Sequence, residues 1–316
     1  MVMRTSRPVW HRWVSAAVVA GAAGLTGAGP AAAAAAQTTV DCNADPNALQ
    51  PAITAAAPRD TLLVRGTCTG NFTIDKDLTL IGLRRAVLDG THTGTTLTVT
   101  NGAQVQLKSL TITNGSGFNG GGIVNNSGST LTLDHSTVRD STAVNAGGGI
   151  FNDDNSTVVL DGSTVRNNTA SPGNGGGIFN AQNSALTLYN STVSDNMAGS
   201  IGGIYNFRGT VTLDHSTVRN NTSSSDTGGI YNYAGGVLVL INSTVTRNTA
   251  NNGNGGGIYN DSTVTLIDSA VTRNTANNGI GGGIYNNGKV TLDRSTVRDN
   301  TPDDCAPAGS VPGCPS

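Results

Sequence analysis

Asp134 and Asp161 close two matching segments, "LTLD" and "VVLD", and an arginine follows each by five residues, Arg139 and Arg166. Stacked carboxylates beside a cation can do chemistry on sugar polymers. Two aspartates can hold calcium or share the acid and base roles in glycoside cleavage. Asp214 and Asp293 recur at equivalent places, Asp153 and Asp154 sit in a nearby turn, and Arg219 and Arg298 extend the arginine column. These are the candidate catalytic residues. Against them stands their regularity, because charges repeating in columns are the ordinary way to solvate an exposed face, and the chain has no long insertion to wall off a cleft.

Other reactive-looking residues reduce to scaffold on inspection. Ser136, Ser163, Ser191, Ser216, Ser243, Ser269 and Ser295 form an unbroken column. A nucleophile needs one serine beside one base, so seven equivalents imply hydroxyls bonded along a ladder. His135 and His215 precede their serines directly, and neighbours on a strand face opposite ways. The glycine triplets, as in "NGGGIYND", are followed by a strand and never a helix, which excludes a dinucleotide-phosphate turn; they are expected to supply positive-φ corners. No metal site is expected, and calcium only if the protein is a lyase.

A third group is aromatic. Between each isoleucine of the glycine motif and the asparagine two residues on stand Val124, Phe151, Phe179, Tyr205, Tyr231, Tyr259 and Tyr285. If isoleucine and asparagine face inward, six consecutive rings face outward. Such a stripe can protect the wall by stacking, or offer a platform to sugar rings or an apolar partner. The asparagines, Asn125, Asn152, Asn180, Asn206, Asn232, Asn260 and Asn286, read as an inner amide ladder, and Asn168, Asn196, Asn221, Asn248, Asn274 and Asn300 as a second one interrupted by Ser141.

The elements that position these columns follow from a repeat. Isoleucines at 123, 150, 178, 204, 230, 258 and 284 are spaced by 26 to 28 residues, and leucines from Leu80 to Leu292 mark nine turns of the same period. Within a turn "GIYN", "VTL" and "STV" alternate with period two, which predicts three short strands and no helix. That pattern is an all-β parallel β-helix of about nine turns over residues 61–300. An amphipathic segment carrying Leu49, Ala52, Ile53 and Ala56 is expected to cap it within residues 37–60, with Pro51 either in the first turn of a helix or at its start. The tail, residues 301–316, is expected to cover the last strand.

The chain resembles secreted bacterial right-handed parallel β-helix repeat proteins of the pectin-lyase-like type, and its "NNT" and "GGGIYN" signals are similar to the repeats of polymorphic outer-membrane proteins. The resemblance implies a right-handed coil and functions ranging from pectin-degrading enzyme to adhesin. No G-H-G or R-I-K sequence of the pectin hydrolases is present. Residues 1–36 read as a secretory signal, with Arg4, Arg7 and Arg12 before a small apolar run ending in "GPAAAAAAQ". Removing those three arginines leaves 15 basic against 20 acidic residues, a net of about −5, which argues against phosphate-held nucleic acid. Nothing after residue 36 approaches a membrane-spanning run. Since the ends of a solenoid lie far apart, the four cysteines are expected to pair as Cys42 with Cys68 and Cys305 with Cys314.

The functional expectation is a secreted, non-catalytic solenoid that binds polysaccharide or a cell or protein surface through the aromatic column and nearby arginine. The alternatives are a polysaccharide lyase or hydrolase, and a structural or ice-binding solenoid suggested by outward Thr132, Thr187, Thr212, Thr265 and Thr291.

Overall fold

The computed structural model describes residues 35–314, so the expected signal lies almost wholly outside the described residues. Period-two alternation becomes strand after strand, each pairing in parallel with its counterpart one coil along. Ile150 aligns with Ile123 on one side and Ile178 on the other, and the column continues through Ile204, Ile230, Ile258 and Ile284. Because the strands are in register, like side chains stack on like. The column begins two coils earlier, at Phe72 and Leu97, and ends one later at Cys305, giving ten strands in this sheet. The coil count is thus about ten. The leucine landmark undercounted because the first coils carry other residues: Gln37–Asp41 pairs with Thr61–Thr69 before the repeat is recognisable. The stretch expected only as a cap therefore already contributes a strand.

Seven of the coils carry four strand segments, and those at the two ends carry fewer. "TVTLD" and "TVR" segments, such as Thr210–Asp214 and Thr217–Arg219, belong to one nineteen-stranded sheet folded at a corner. "IYN" segments form the ten-stranded sheet. The fourth segment, two residues long in most coils (Thr169–Ala170, Thr249–Ala250), forms a seven-stranded sheet that the sequence reading lacked. Two residues cannot display a period. Inside, the Ile, Leu and Val columns meet in one continuous core in which Leu133, Val165, Ile204, Leu240 and Val271 are all fully buried.

The corners use a shared backbone state more than a shared residue. His135, Gly162, Asn190, His215, Asn242, Asp268 and Arg294 occupy one corner with φ between 47° and 54°. Asp140, Asn167, Asp195, Asn220, Arg247, Arg273 and Asp299 occupy the next. The left-handed conformation turns the chain sharply, and the residue after it points inward: serine at the first corner, and asparagine (or Ser141) at the second. Glycine serves the corner where it was expected: Gly120, Gly147, Gly175, Gly255 and Gly281, the first of each triplet, take φ between 60° and 68°. The demand on their two successors is steric. A β-carbon on Gly177 would lie 2.8 Å from both Gly203 O and Val193 Cγ1 of neighbouring coils.

At the N-terminal end the helix Leu49–Ala55 lays Leu49 and Ile53 onto the core. Pro51 falls in its first turn, where no intrahelical N–H bond is lost. Disulfides join Cys42 to Cys68 and Cys305 to Cys314, so each staple closes one end. The second holds a loop that buries Val311 against the last coil. Cys314→Ser is expected to destabilise the protein by roughly 2–3 kcal/mol, the usual loss for a short closed loop, read as a lower urea midpoint. An unchanged midpoint would mean that the loop docks without its bond.

Candidate functional site

The carboxylate and arginine columns share the outer face of the folded sheet but do not converge. Asp134 aligns with Asp161, and then the column changes to Tyr189, Asp214, Ile241, Ile267 and Asp293. Asp134 is engaged by His135 Nδ1 at 2.5 Å and lies 3.8 Å from Lys108 Nζ. That contact raises the exposed His135 imidazole above its ordinary pKa, first through the hydrogen bond and then through the carboxylate's charge. Arg139 pairs with its own neighbour, Asp140. Arg139 and Arg166 align, but Ser194, Thr246 and Thr272 interrupt the rest of the column. Among the described residues no ion pair joins Asp134 or Asp161 to either arginine, and no three His, Cys, Asp or Glu side chains cluster as metal ligands.

The polar columns line the inside of the wall. Asn125 Nδ2 donates to Asn152 Oδ1 at 2.9 Å, and the chain runs on through Asn180, Asn206, Asn232, Asn260 and Asn286 at 2.8–3.0 Å. Each Nδ2 also donates to a turn carbonyl, as Asn206 does to Gly209 O at 3.0 Å. The second amide ladder runs from Asn168 to Asn300. The serine column differs from a hydroxyl ladder. Ser136 N–H donates to Ser163 Oγ at 3.0 Å, while Ser163 Oγ donates to Asp161 O at 3.0 Å. The hydroxyls bond the backbone and not one another, because they point in from a corner where N–H groups need partners. The threonine column is also broken, by Val159 and Val239.

The aromatic column is the coherent surface feature. Phe151, Phe179, Tyr205, Tyr231, Tyr259 and Tyr285 align in register and are each half-buried. Successive centroids lie 5.1, 5.1, 5.4, 4.6 and 4.6 Å apart. Coil spacing sets those distances, which fall in the favourable range for ring pairs worth about 0.5–1.5 kcal/mol each.

A second row lies beside the first. Phe207 and Tyr233 stack at 5.4 Å, and each meets the main row, Phe207 at 5.9 Å from Tyr205 and Tyr233 at 5.8 Å from Tyr231. These rings were missed because they occur in two coils only; the signal was the residue just after the ladder asparagine, "IYNF" and "IYNY". The arginine by the stripe is Arg208, whose guanidinium carbon stands 5.5 Å over the Phe207 ring, not a member of the Arg139 column on the other sheet. Tyr231 donates its hydroxyl to Asp261 Oδ2 at 2.6 Å, and Asn287 Nδ2 donates to Tyr259 Oη at 3.2 Å and to Asp261 Oδ1 at 3.1 Å. Burial first, then neighbouring Tyr233, pushes the Tyr205 phenol up to about 12. Burial and the Asp261 carboxylate hold Tyr231 far above the usual range, and burial raises Tyr259. The stripe presents phenol, carboxylate and amide groups along its edge.

With in-register parallel coils, up to four strand segments per turn and one continuous core, the protein is of the right-handed parallel β-helix class. Residues 89–222 match the family model described as "Right handed beta helix region". Among solved structures, alginate lyase from Paenibacillus sp. str. FPU-7 is similar at 14% identity and a TM-score of 0.37, over 87% of this chain and 97% of that one. A superposition that loose transfers nothing of the lyase's site. No curated protein matches the chain. No helix among the described residues is long and apolar enough to cross a membrane.

Proposed function

We propose that the protein is a secreted, non-catalytic β-helix that binds a polysaccharide or cell-surface glycan along its aromatic stripe. The observation that carries this reading is the run of six aligned half-buried rings, widened by Phe207 and Tyr233 and edged with hydrogen-bonding groups. Sugar rings present apolar C–H faces bordered by hydroxyls, and such a surface meets both. Two disulfides fit an oxidising destination. Binding is favoured over catalysis by the geometry of the carboxylates, since Asp134 is taken up by His135 and Lys108 and the arginines occupy a separate column.

Changing Tyr205, Tyr231 and Tyr259 together to alanine is expected to weaken glycan binding at least tenfold, a loss of about 1.4 kcal/mol. Glycan-array and isothermal-titration measurements would check it, with the melting curve confirming the fold. Unaltered binding by a folded triple variant would sink the reading.

A further inference from the structure

The charges around the stripe bear on which glycan it takes. The residues that follow the ladder asparagines stack beside the rings in the order Asp153, Ala181, Phe207, Tyr233, Asp261 and Asn287, each N–H bonded to the ladder asparagine's carbonyl one coil back. Carboxylates therefore bracket the second aromatic row at both axial ends. Asp261 is fixed in place by the Tyr231 hydroxyl and the Asn287 amide, so its charge cannot swing away. Asp226, exposed and held by the Ser200 hydroxyl, is near enough for its field to reach Tyr205 and Tyr259. One cation, Arg208, stands over the face of Phe207 and its field also reaches Tyr205, so it offsets one of the two carboxylates, Asp226 and Asp261, and leaves the balance beside the rings negative.

We propose that the stripe accepts glycans that are uncharged or carry amino groups, and discriminates against polyuronates. This rests on the glycan-binding reading above. A polyuronate carries a carboxylate on every sugar, so laying several sugars along the rings brings like charges towards Asp226 and Asp261, while an amino sugar brings an ammonium group to the same carboxylates. Repulsion of this kind sets specificity without changing the stacking surface.

The test titrates the full-length protein with three hexasaccharides: chitosan (cationic), chitin (neutral) and polygalacturonate (anionic). The expected order of affinity is chitosan above chitin above galacturonate, with the first at least tenfold tighter than the last at low salt. The gap should narrow as salt is raised. Asp261→Asn keeps an oxygen for the Tyr231 hydroxyl and removes the charge; it is expected to weaken chitosan binding about fivefold and leave chitin within twofold. Asp226→Asn, at an exposed position, should shift the same preference in the same direction without touching that hydrogen bond. Galacturonate bound as tightly as chitosan, and lost in the triple tyrosine variant, overturns the inference while leaving the stripe as the binding site. Chitosan binding unmoved by both aspartate variants also overturns it. Failure of all three sugars to bind removes the glycan reading itself.

Discussion

Asn206→Leu is expected to destabilise the protein by about 4 kcal/mol, a drop of roughly 10 °C in melting temperature for a chain of this size. The side chain is fully buried. It donates to Gly209 O, Asn232 Oδ1 and Val237 O at 3.0, 2.8 and 3.2 Å, and accepts from Asn180 Nδ2 at 3.0 Å. Leucine matches the volume but makes none of these bonds. Two N–H protons serve the three acceptors, so with the accepted bond about three interactions worth about 1 kcal/mol each disappear, and Asn232 Oδ1 is left buried without its donor, which adds to the cost. Thr212→Ala in the same coil but on the outer face should change stability by less than about 0.5 kcal/mol. Thermal melting of the pair separates a ladder that holds the wall from one that merely fills it; equal melting temperatures would show that the amide chain is dispensable.

Gly176→Ala should be of comparable severity. An added methyl would press into the Met197 carbonyl and stand 2.7 Å from Gly202 O, both backbone atoms of the next coil. No side chain can swing aside, and the coil spacing is fixed by strand pairing on every face. The loss is expected to reach about 3 kcal/mol or more, seen as little soluble protein at 37 °C. Gly235→Ala makes the contrast. Its φ of 88° strains any other residue by about 1–2 kcal/mol, yet its nearest neighbour is the flexible Arg208 side chain at 3.7 Å. Soluble, normally melting Gly176→Ala would mean that adjacent coils can part locally.

Much of the architecture is legible in the sequence because register makes it so. Isoleucines from Ile123 to Ile284 recur at the step of one coil, and an in-register parallel stack turns that step directly into a column. What escaped was whatever the repeat does not repeat. The coils around Gln37–Asp41 and Thr61–Thr69 lack the glycine motif, so they were folded into the cap or left uncounted. The corner that begins with His135 passes through Gly162, Asn190 and Arg294, four chemistries with one backbone angle, and chemistry is what a reader of sequence compares. The candidate site divided the same way. The six aligned rings could be picked out from alternation, whereas Phe207, Tyr233 and the bond from Tyr231 to Asp261 depend on which coils happen to be neighbours. The arginine beside the rings, Arg208, had no column to mark it, because it follows Phe207 in a single coil, while the repeating arginines that include Arg139 lie on the other sheet.

The asparagine ladder has a direction. Every amide donates towards the C-terminus, so one end must present a bare acceptor and the other a spare donor. At the start Asn125 Oδ1 faces the coil of Val99 and has no hydrogen-bond partner among the described residues. At the finish Asn286 Nδ2 donates to Ser310 O of the disulfide loop, and in the second ladder Asn300 Nδ2 donates to Asp304, whose carboxylate can accept but not pass a proton onward. An interior coil is interchangeable with its neighbours, and these two terminators are not. Duplication or loss of one 26- to 28-residue unit in the middle would leave every end contact as it is, so the number of coils can drift over generations while the fold stays closed. Length, in this molecule, is written only at its ends.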